Sequence, residues 1–286
     1  MMSSEIELTY SQLVISIGLT TDYSCVEDLK EYAYGFSNLN DLLRIKDLIT
    51  RINNSSKYTN PLVICGAGPT GVELACKLAD LFDNRVEIYL VDKGSEILSN
   101  SKSFNRDNAI NAIAKRNIKI YLEHHIKCIN KTFLEISASD NEINSSLTIN
   151  YSGLILTSGL KPAYPALIHK FLDKNYKVKV DNFLQMHAYK NIFFVGDIIC
   201  SDNDLVPSSA QAAIQQGILV AKNIICLRQG KKLQAFEFED LGEMLSLGIG
   251  NASITGYGIT LAGPLAFQFR RLAYLMRMPG FSISLR

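Results

Sequence analysis

The sequence predicts an α/β protein, and three stretches carry that prediction. The first is PLVICGAGPTGVELACKLADLFDNRVEIYLVD, Pro61 to Asp92, where an apolar run enters a glycine-rich turn, a periodic apolar segment follows, and a second β-type run ends on an acid. The second is GLILTSG, Gly153 to Gly159, a buried-type strand. The third is NIFFVGD, Asn191 to Asp197, a buried strand ending in Gly-Asp, with a helical run opening at Ser208 behind it. The chain has 286 residues, of which 47% are hydrophobic and 20% charged, enough for two modest domains or one elaborate one, with a substantial core.

Taken in order, the chain opens with Leu13 to Ile17, an apolar strand stopped by Gly18. Leu39 to Ile52 places Leu42, Leu43, Ile45, Leu48, Ile49 and Ile52 at helical spacing, and Asn53 to Ser56 is a polar connector. Pro61 to Asp92 is the strand, glycine turn, helix, strand and acid of a dinucleotide-binding unit. Gly66 permits the tight turn, Gly68 lets the backbone approach a pyrophosphate, and Gly71 lets the helix pack on the strand. The pyrophosphate would sit on the free N–H groups at the helix start, and Asp92 would accept hydrogen bonds from a ribose. Phe104 to Arg116 reads as a helix, Ile118 to Leu122 as a strand, and Lys127 to Ile149 as a β-meander broken by Asn- and Ser-rich turns. Gly153 to Gly159 returns to the glycine turn. After Asn191 to Asp197, a loop through Pro207 leads to a helix from Ser208 to Leu227. Phe236 to Leu261 is turn-rich and β-like, and Leu265 to Arg277 is an apolar helix with clustered arginines.

Composition excludes several functions. With 29 basic and 28 acidic residues the net charge is +1, which gives no field to attract nucleic acid. The six cysteines are scattered without a CxxC, so they read as buried thiols in a reducing compartment. His124 and His125 are adjacent and would face opposite sides of a strand, so no metal site is expected. Met1 to Glu7 lacks the charged and apolar regions of a secretory leader, and none is expected. Met244 to Phe269 has no charged residue, yet its five glycines and Pro264 fit turns better than a membrane-spanning helix.

The order of LVISIG, GAGPTGVE, GLILTSGLKP and NIFFVGD followed by SSAQAAIQQG resembles the two-dinucleotide-fold family of FAD-dependent pyridine-nucleotide oxidoreductases. The Ala210-Gln211-x-Ala213-x-Gln215-Gln216-Gly217 run looks like the quinone-site signature of type II NAD(P)H:quinone dehydrogenases. The C-terminal EDLGEMLSLGIGNASITGYGITLAGPLAFQFRRLAYLMRMPG looks like the cyanobacterial and plastid type, the demethylphylloquinone reductase-like group. The resemblance implies an NAD(P)H-binding Rossmann-like domain at 61–160, inserted in an FAD domain whose parts are 1–60 and 161–235. A C-terminal β/helix region at 236–286 would contact a membrane or a second copy.

The implied cofactors are FAD and NAD(P)H, and the implied reaction passes hydride from NAD(P)H to the flavin and two electrons on to a quinone such as demethylphylloquinone or plastoquinone. Gly66, Gly68 and Gly71 would hold the NAD(P)H pyrophosphate, and Glu73 would lie near the nicotinamide carboxamide. Asp92 would take the adenosine ribose and favour NADH, while Lys93 leaves NADPH open. Thr157, Ser158 and Gly159 would pass the nicotinamide. Gly196 and Asp197 would meet the flavin ribityl chain, and the N–H groups of Ala210 and Gln211 the flavin carbonyls. Gln211, Ile214 and Gln215 would line the quinone pocket.

In the family a further strand–GxGxxG–helix opens the chain and binds the ADP half of FAD; this sequence begins past it, so the FAD domain is expected to be incomplete. A fragment, a separate chain supplying that half, and a degenerate relative all stay open. The implied location is a membrane surface facing a reducing compartment, cyanobacterial or plastid, with the cytoplasm as alternative. Two other functions compete: a soluble flavin-dependent reductase with another acceptor, and a non-catalytic NAD(H)-binding subunit.

Overall fold

In a computed structural model of the chain, residues 7–55, 60–138, 146–163, 171–173, 177–201 and 206–277 are described. Ser56 of the expected connector, 139–145 of the expected meander and 202–205 of the expected loop lie outside the described residues. The chain folds into two compact units: Met1–Thr20 with Leu160–Asp240, and Thr21–Gly159 with Leu241–Arg286.

The larger unit is built on a five-stranded parallel sheet in the order Ala33–Tyr34, Gly153–Leu156, Leu62–Cys65, Ile88–Val91, Ile118–Tyr121. Side chains alternate across a strand, and each face here has its own cover. Leu62, Ile64, Ile88, Leu90 and Ile155 join a core with the helices Leu39–Asn54, Pro69–Leu81 and Ser103–Ala114. Val63, Val91, Leu154 and Leu156 turn the other way, onto Ile126, Leu134, Ile136 and Ile149. Those four come from an antiparallel meander, His124–Ile129, Phe133–Ala138 and Ser146–Asn150. A sheet covered on both sides explains why its strands read as unbroken apolar runs rather than alternating ones.

The boundary expected near residue 60 falls elsewhere. Ala33–Tyr34 adds an edge strand beside Gly153–Leu156, and Leu39–Asn54 buries Ile45, Leu48 and Ile52 in the core shared with the glycine-turn helix. That helix is capped by Asn38, whose side chain accepts from the Asp41 N–H.

The C-terminal stretch also joins this unit. Glu243–Ser246, Ala252–Gly256 and Ile259–Gly263 form an antiparallel sheet, and the helix Pro264–Arg277 follows. Leu245 and Leu247 enter the helix-side core. Polar bonds fix the rest. Asn105 is fully buried and accepts from the Ser253 and Thr255 hydroxyls. Glu243 accepts from Ser101 Oγ at 2.6 Å, the Lys102 N–H at 3.1 Å and Asn105 Nδ2 at 2.8 Å. Lys102 is the N-cap of Ser103–Ala114 and offers no side-chain cap of its own, so a carboxylate distant in sequence does the capping. Glu243→Ala removes all three acceptor contacts and should lower stability by about 2 kcal/mol, read by chemical denaturation.

In the smaller unit Leu13–Ile15 runs parallel to Ile192–Phe194, and Val178–Val180 parallel to Ile199–Ser201. The helix Ala210–Arg228 packs Val220, Leu219, Ile224 and Leu227 against Phe193, Phe194, Val195 and Ile198. The turn-rich region expected from Phe236 divides between the units: its first residues stay here, where the Phe236 N–H donates to Asn182 O at 2.7 Å.

Candidate functional site

The apolar strand Leu62–Cys65 must stop where its sheet ends, and Gly66 turns it at φ +116°. A Cβ on Gly66 would stand 2.7 Å from Thr157 Oγ1 and 2.9 Å from Ser158 Cβ, so only glycine fits beside the return strand. A Cβ on Gly71 would fall inside the Gly66 carbonyl oxygen and 2.8 Å from Thr157 Oγ1. Gly68 differs: nothing lies within 4 Å of its would-be Cβ. It is the N-cap of Pro69–Leu81, with Pro at the first position, and the Gly68, Thr70 and Gly71 N–H groups have no acceptor among the described residues. Open space, free N–H groups and the positive end of a helix dipole make a fit for a pyrophosphate.

Thr157 closes the turn from the neighbouring strand. Its N–H donates to Cys65 O at 2.9 Å, and its hydroxyl lies 3.0 Å from Cys65 O and 3.2 Å from Gly66 O. Ser158 Oγ donates to Cys65 O at 3.3 Å, and Gly159 sits at φ +69°. Burial pushes the Cys65 thiol up to about 11, so at neutral pH it stays protonated and is no nucleophile.

Asp92 ends the second strand and braces the turn. Its Oδ2 accepts from the Ala67 N–H at 2.6 Å and its Oδ1 from the Gly94 N–H at 2.7 Å. Each carboxylate oxygen accepts more than one hydrogen bond, so both remain able to receive a ribose hydroxyl. Lys93 beside it is exposed.

Glu73, five residues into the same helix, turns toward the C-terminal elements. Its Oε1 accepts from the Ser246 N–H at 2.8 Å, and Arg270 Nη2 lies 3.3 to 3.4 Å from its two oxygens. Burial pushes its carboxyl above the ordinary range; the Ser246 N–H and Arg270 oppose that shift without overcoming it. A raised carboxylate value means that this group's contribution to stability falls as pH rises through its folded value. The sequence offered no signal for Ser246 or Arg270 as its partners.

In the smaller unit Gly196 turns the Ile192–Phe194 strand at φ +82°. Its N–H donates to Gln216 Oε1 at 2.7 Å, and Gln216 is buried. Gln216 is therefore a tie between turn and helix; it stood in the quoted glutamine run, but nothing marked it apart from its neighbours. Asp197 is half-buried with no hydrogen-bond or ion-pair partner among the described residues. Ser209 caps Ala210–Arg228 by accepting from the Ala212 N–H at 3.2 Å, which leaves the Ala210 and Gln211 N–H groups without an acceptor among the described residues. Gln211 and Gln215 are occupied: each Nε2 donates to Glu239 O, at 2.9 and 2.8 Å, and Gln215 Oε1 accepts from the Glu239 N–H. Ile214, between them, is about half exposed, at 49%.

Residues 2–217 match the family described as Pyridine nucleotide-disulphide oxidoreductase. The chain belongs to this family. Among pyridine nucleotide-disulphide oxidoreductase relatives it is 31% identical over 275 residues to the demethylphylloquinone reductase NdbB of Synechocystis, covering 95% of this chain and 67% of that protein. It is 25% identical over 302 residues to the alternative NAD(P)H-ubiquinone oxidoreductase C1 of Arabidopsis thaliana, covering 98% and 58%. The chain thus spans about two thirds or less of the length of these relatives. The structure of NDH2 from Plasmodium falciparum in complex with NADH superposes with a TM-score of 0.84 at 17% identity, covering 96% of this chain and 76% of that one, which shows the same fold.

Proposed function

We propose that this family member is an NAD(P)H:quinone oxidoreductase that takes hydride from NAD(P)H and delivers two electrons, through FAD, to a quinone of the demethylphylloquinone or plastoquinone kind. The observation that carries the reading is the set of free N–H groups at Gly68, Thr70 and Gly71 behind a turn that only glycine fits. Gly66, Gly68 and Gly71 bind the nucleotide pyrophosphate, Asp92 the adenosine ribose, and Thr157, Ser158 and Gly159 border the nicotinamide. Asp197 and the Ala210 and Gln211 N–H groups would hold FAD: the first meets ribityl hydroxyls, and the others face developing negative charge at a helix start. A bound flavin would supply hydride acceptance and two-electron delivery; the chain supplies binding, orientation and electrostatics.

The quinone-facing side is read at Ile214, with Gln211 and Gln215 holding the Glu239 backbone beside it. No helix among the described residues is long and apolar enough to cross a membrane. The helix Pro264–Arg277 exposes Leu265, Phe269, Leu272 and Met276, and Arg271 is exposed with them. That face suits a helix lying in a membrane interface with a cation at the headgroups, where quinones dissolve.

The purified protein is expected to show bound-flavin absorbance and to oxidise NADH with either a quinone or ferricyanide as acceptor. Ile214→Trp should raise the quinone KM about tenfold while sparing ferricyanide reduction. An equal response of both acceptors removes the quinone assignment. NADH binding without flavin points to a binding subunit instead.

A further inference from the structure

Glu73 and Arg270 stand 197 residues apart, yet they face each other within the larger unit. Glu73 lies in the first half of the glycine-turn helix, Arg270 midway along the last helix, and the Ser246 N–H arrives from the strand between. The Ser246 bond, at 2.8 Å, anchors Oε1. One guanidinium nitrogen, Nη2, spans both carboxylate oxygens at 3.3 and 3.4 Å, longer than the roughly 2.7–2.9 Å of a closed charge-assisted bond. The guanidinium also lies over the Tyr274 ring, 4.8 Å from its centre, one helical turn further on. Its Nε is buried and has no acceptor among the described residues. Glu73 is thus the acid that Arg270 serves, and the ring below limits where the guanidinium can go.

A carboxylate one turn inside the dinucleotide turn is most directly oriented by whatever holds its second oxygen. We propose that Arg270 is a positioning residue for nicotinamide nucleotide binding: it fixes the orientation in which Glu73 meets the nucleotide, and so ties the last helix to the nucleotide site. This rests on the reading of Glu73 as a nucleotide contact. Ser246 alone holds one oxygen and leaves the carboxylate free to swing about that bond; Arg270 removes that freedom. A single guanidinium nitrogen reaches both oxygens, a one-nitrogen contact that a lysine ammonium can largely reproduce while keeping the charge.

The test is a double-mutant cycle on NADH affinity, read by fluorescence titration of the full chain, with melting temperatures measured alongside. Arg270→Gln should weaken NADH binding about tenfold, the size expected for losing one charge-assisted contact's ordering. Arg270→Lys should recover most of the loss. In a Glu73→Gln background, Arg270→Gln should cost no further affinity. Arg271→Gln, at the exposed neighbour, should leave affinity unchanged. The proposal is overturned if Glu73→Gln weakens binding while Arg270→Gln does not, or if Arg270→Gln costs the same factor in both backgrounds, as general loosening of the helix would. An unaffected Glu73→Gln variant overturns the reading of Glu73 itself, and the proposal with it. Should Arg270→Gln fail to fold, Arg270→Met, which keeps the packing of the side-chain stem and removes the charge, completes the same cycle with and without Glu73→Gln.

Discussion

Gly71→Ala should abolish nicotinamide nucleotide binding and lower folding stability by about 3 kcal/mol, at the upper end of overpacking costs. The added methyl would enter the Gly66 carbonyl oxygen, which is backbone and cannot rotate aside, and would stand 2.8 Å from Thr157 Oγ1. Relief requires the helix Pro69–Leu81 to slide off the turn, which carries the free N–H groups away from the anion they are meant to receive. Gly68→Ala makes the contrast. Gly68 sits at φ −74°, ψ −175°, a conformation open to any residue, with empty space at its Cβ position. Its stability should change by no more than about 0.5 kcal/mol. Its NADH affinity should still fall, because the methyl occupies the approach of the pyrophosphate. Denaturation and NADH titration of the two variants separate packing from binding. Equal losses of stability would refute the assignment of separate roles to the two glycines.

Asp80→Ala should lower stability by about 3 kcal/mol, between the small value of exposed ion pairs and the larger cost of breaking buried ones. Arg116 Nε donates to Asp80 Oδ1 at 2.7 Å and Nη2 to Oδ2 at 3.0 Å, with side-chain exposures of only 11% and 20%. The Ile249 N–H donates to the same Oδ2 at 2.6 Å, so the variant orphans a guanidinium and a backbone donor together. Gly248 brings the chain this close: a Cβ there would strike both Asp80 and Arg116.

The pair also sets a pH dependence. Burial raises the Asp80 carboxyl, but the Arg116 and Ile249 hydrogen bonds outweigh it and hold the group below its ordinary value. A depressed value means the unfolded chain binds the proton more readily. The stabilisation is therefore present above the ordinary carboxylate range and is lost as pH falls through the folded value. Glu73, raised by burial, has the opposite sign. Denaturation midpoints measured from neutral to acid pH should converge for wild type and Asp80→Ala; parallel curves would refute the linkage.

Much of the geometry of the candidate nucleotide site was legible because it is local. Turn, helix start and acid lie within Pro61 to Asp92, and each glycine has a backbone reason that spacing alone reveals. The helices expected at Leu39 to Ile52 and Phe104 to Arg116 are present as Leu39–Asn54 and Ser103–Ala114, since long periodic segments fix their own type. The β-like stretch after Phe236 was legible as strands but not as a neighbour. Its attachment runs through Glu243, Ser246, Gly248, Ser253 and Arg270, and their partners Ser101, Glu73, Asp80, Asn105 and Arg116 lie more than a hundred residues earlier.

By itself, the sequence determined that this chain has a strand, glycine turn and helix followed by a Gly-Asp strand and a glutamine-rich helix. Hydrophobic period and turn chemistry are written over a few consecutive residues. Only the tertiary structure decided that the C-terminal sheet and helix belong with the unit that holds the glycine turn, that Asp92 braces the turn, and that Glu73 answers to Arg270. A carboxylate's partner is chosen by which elements pack beside it, and one-dimensional spacing does not encode that choice.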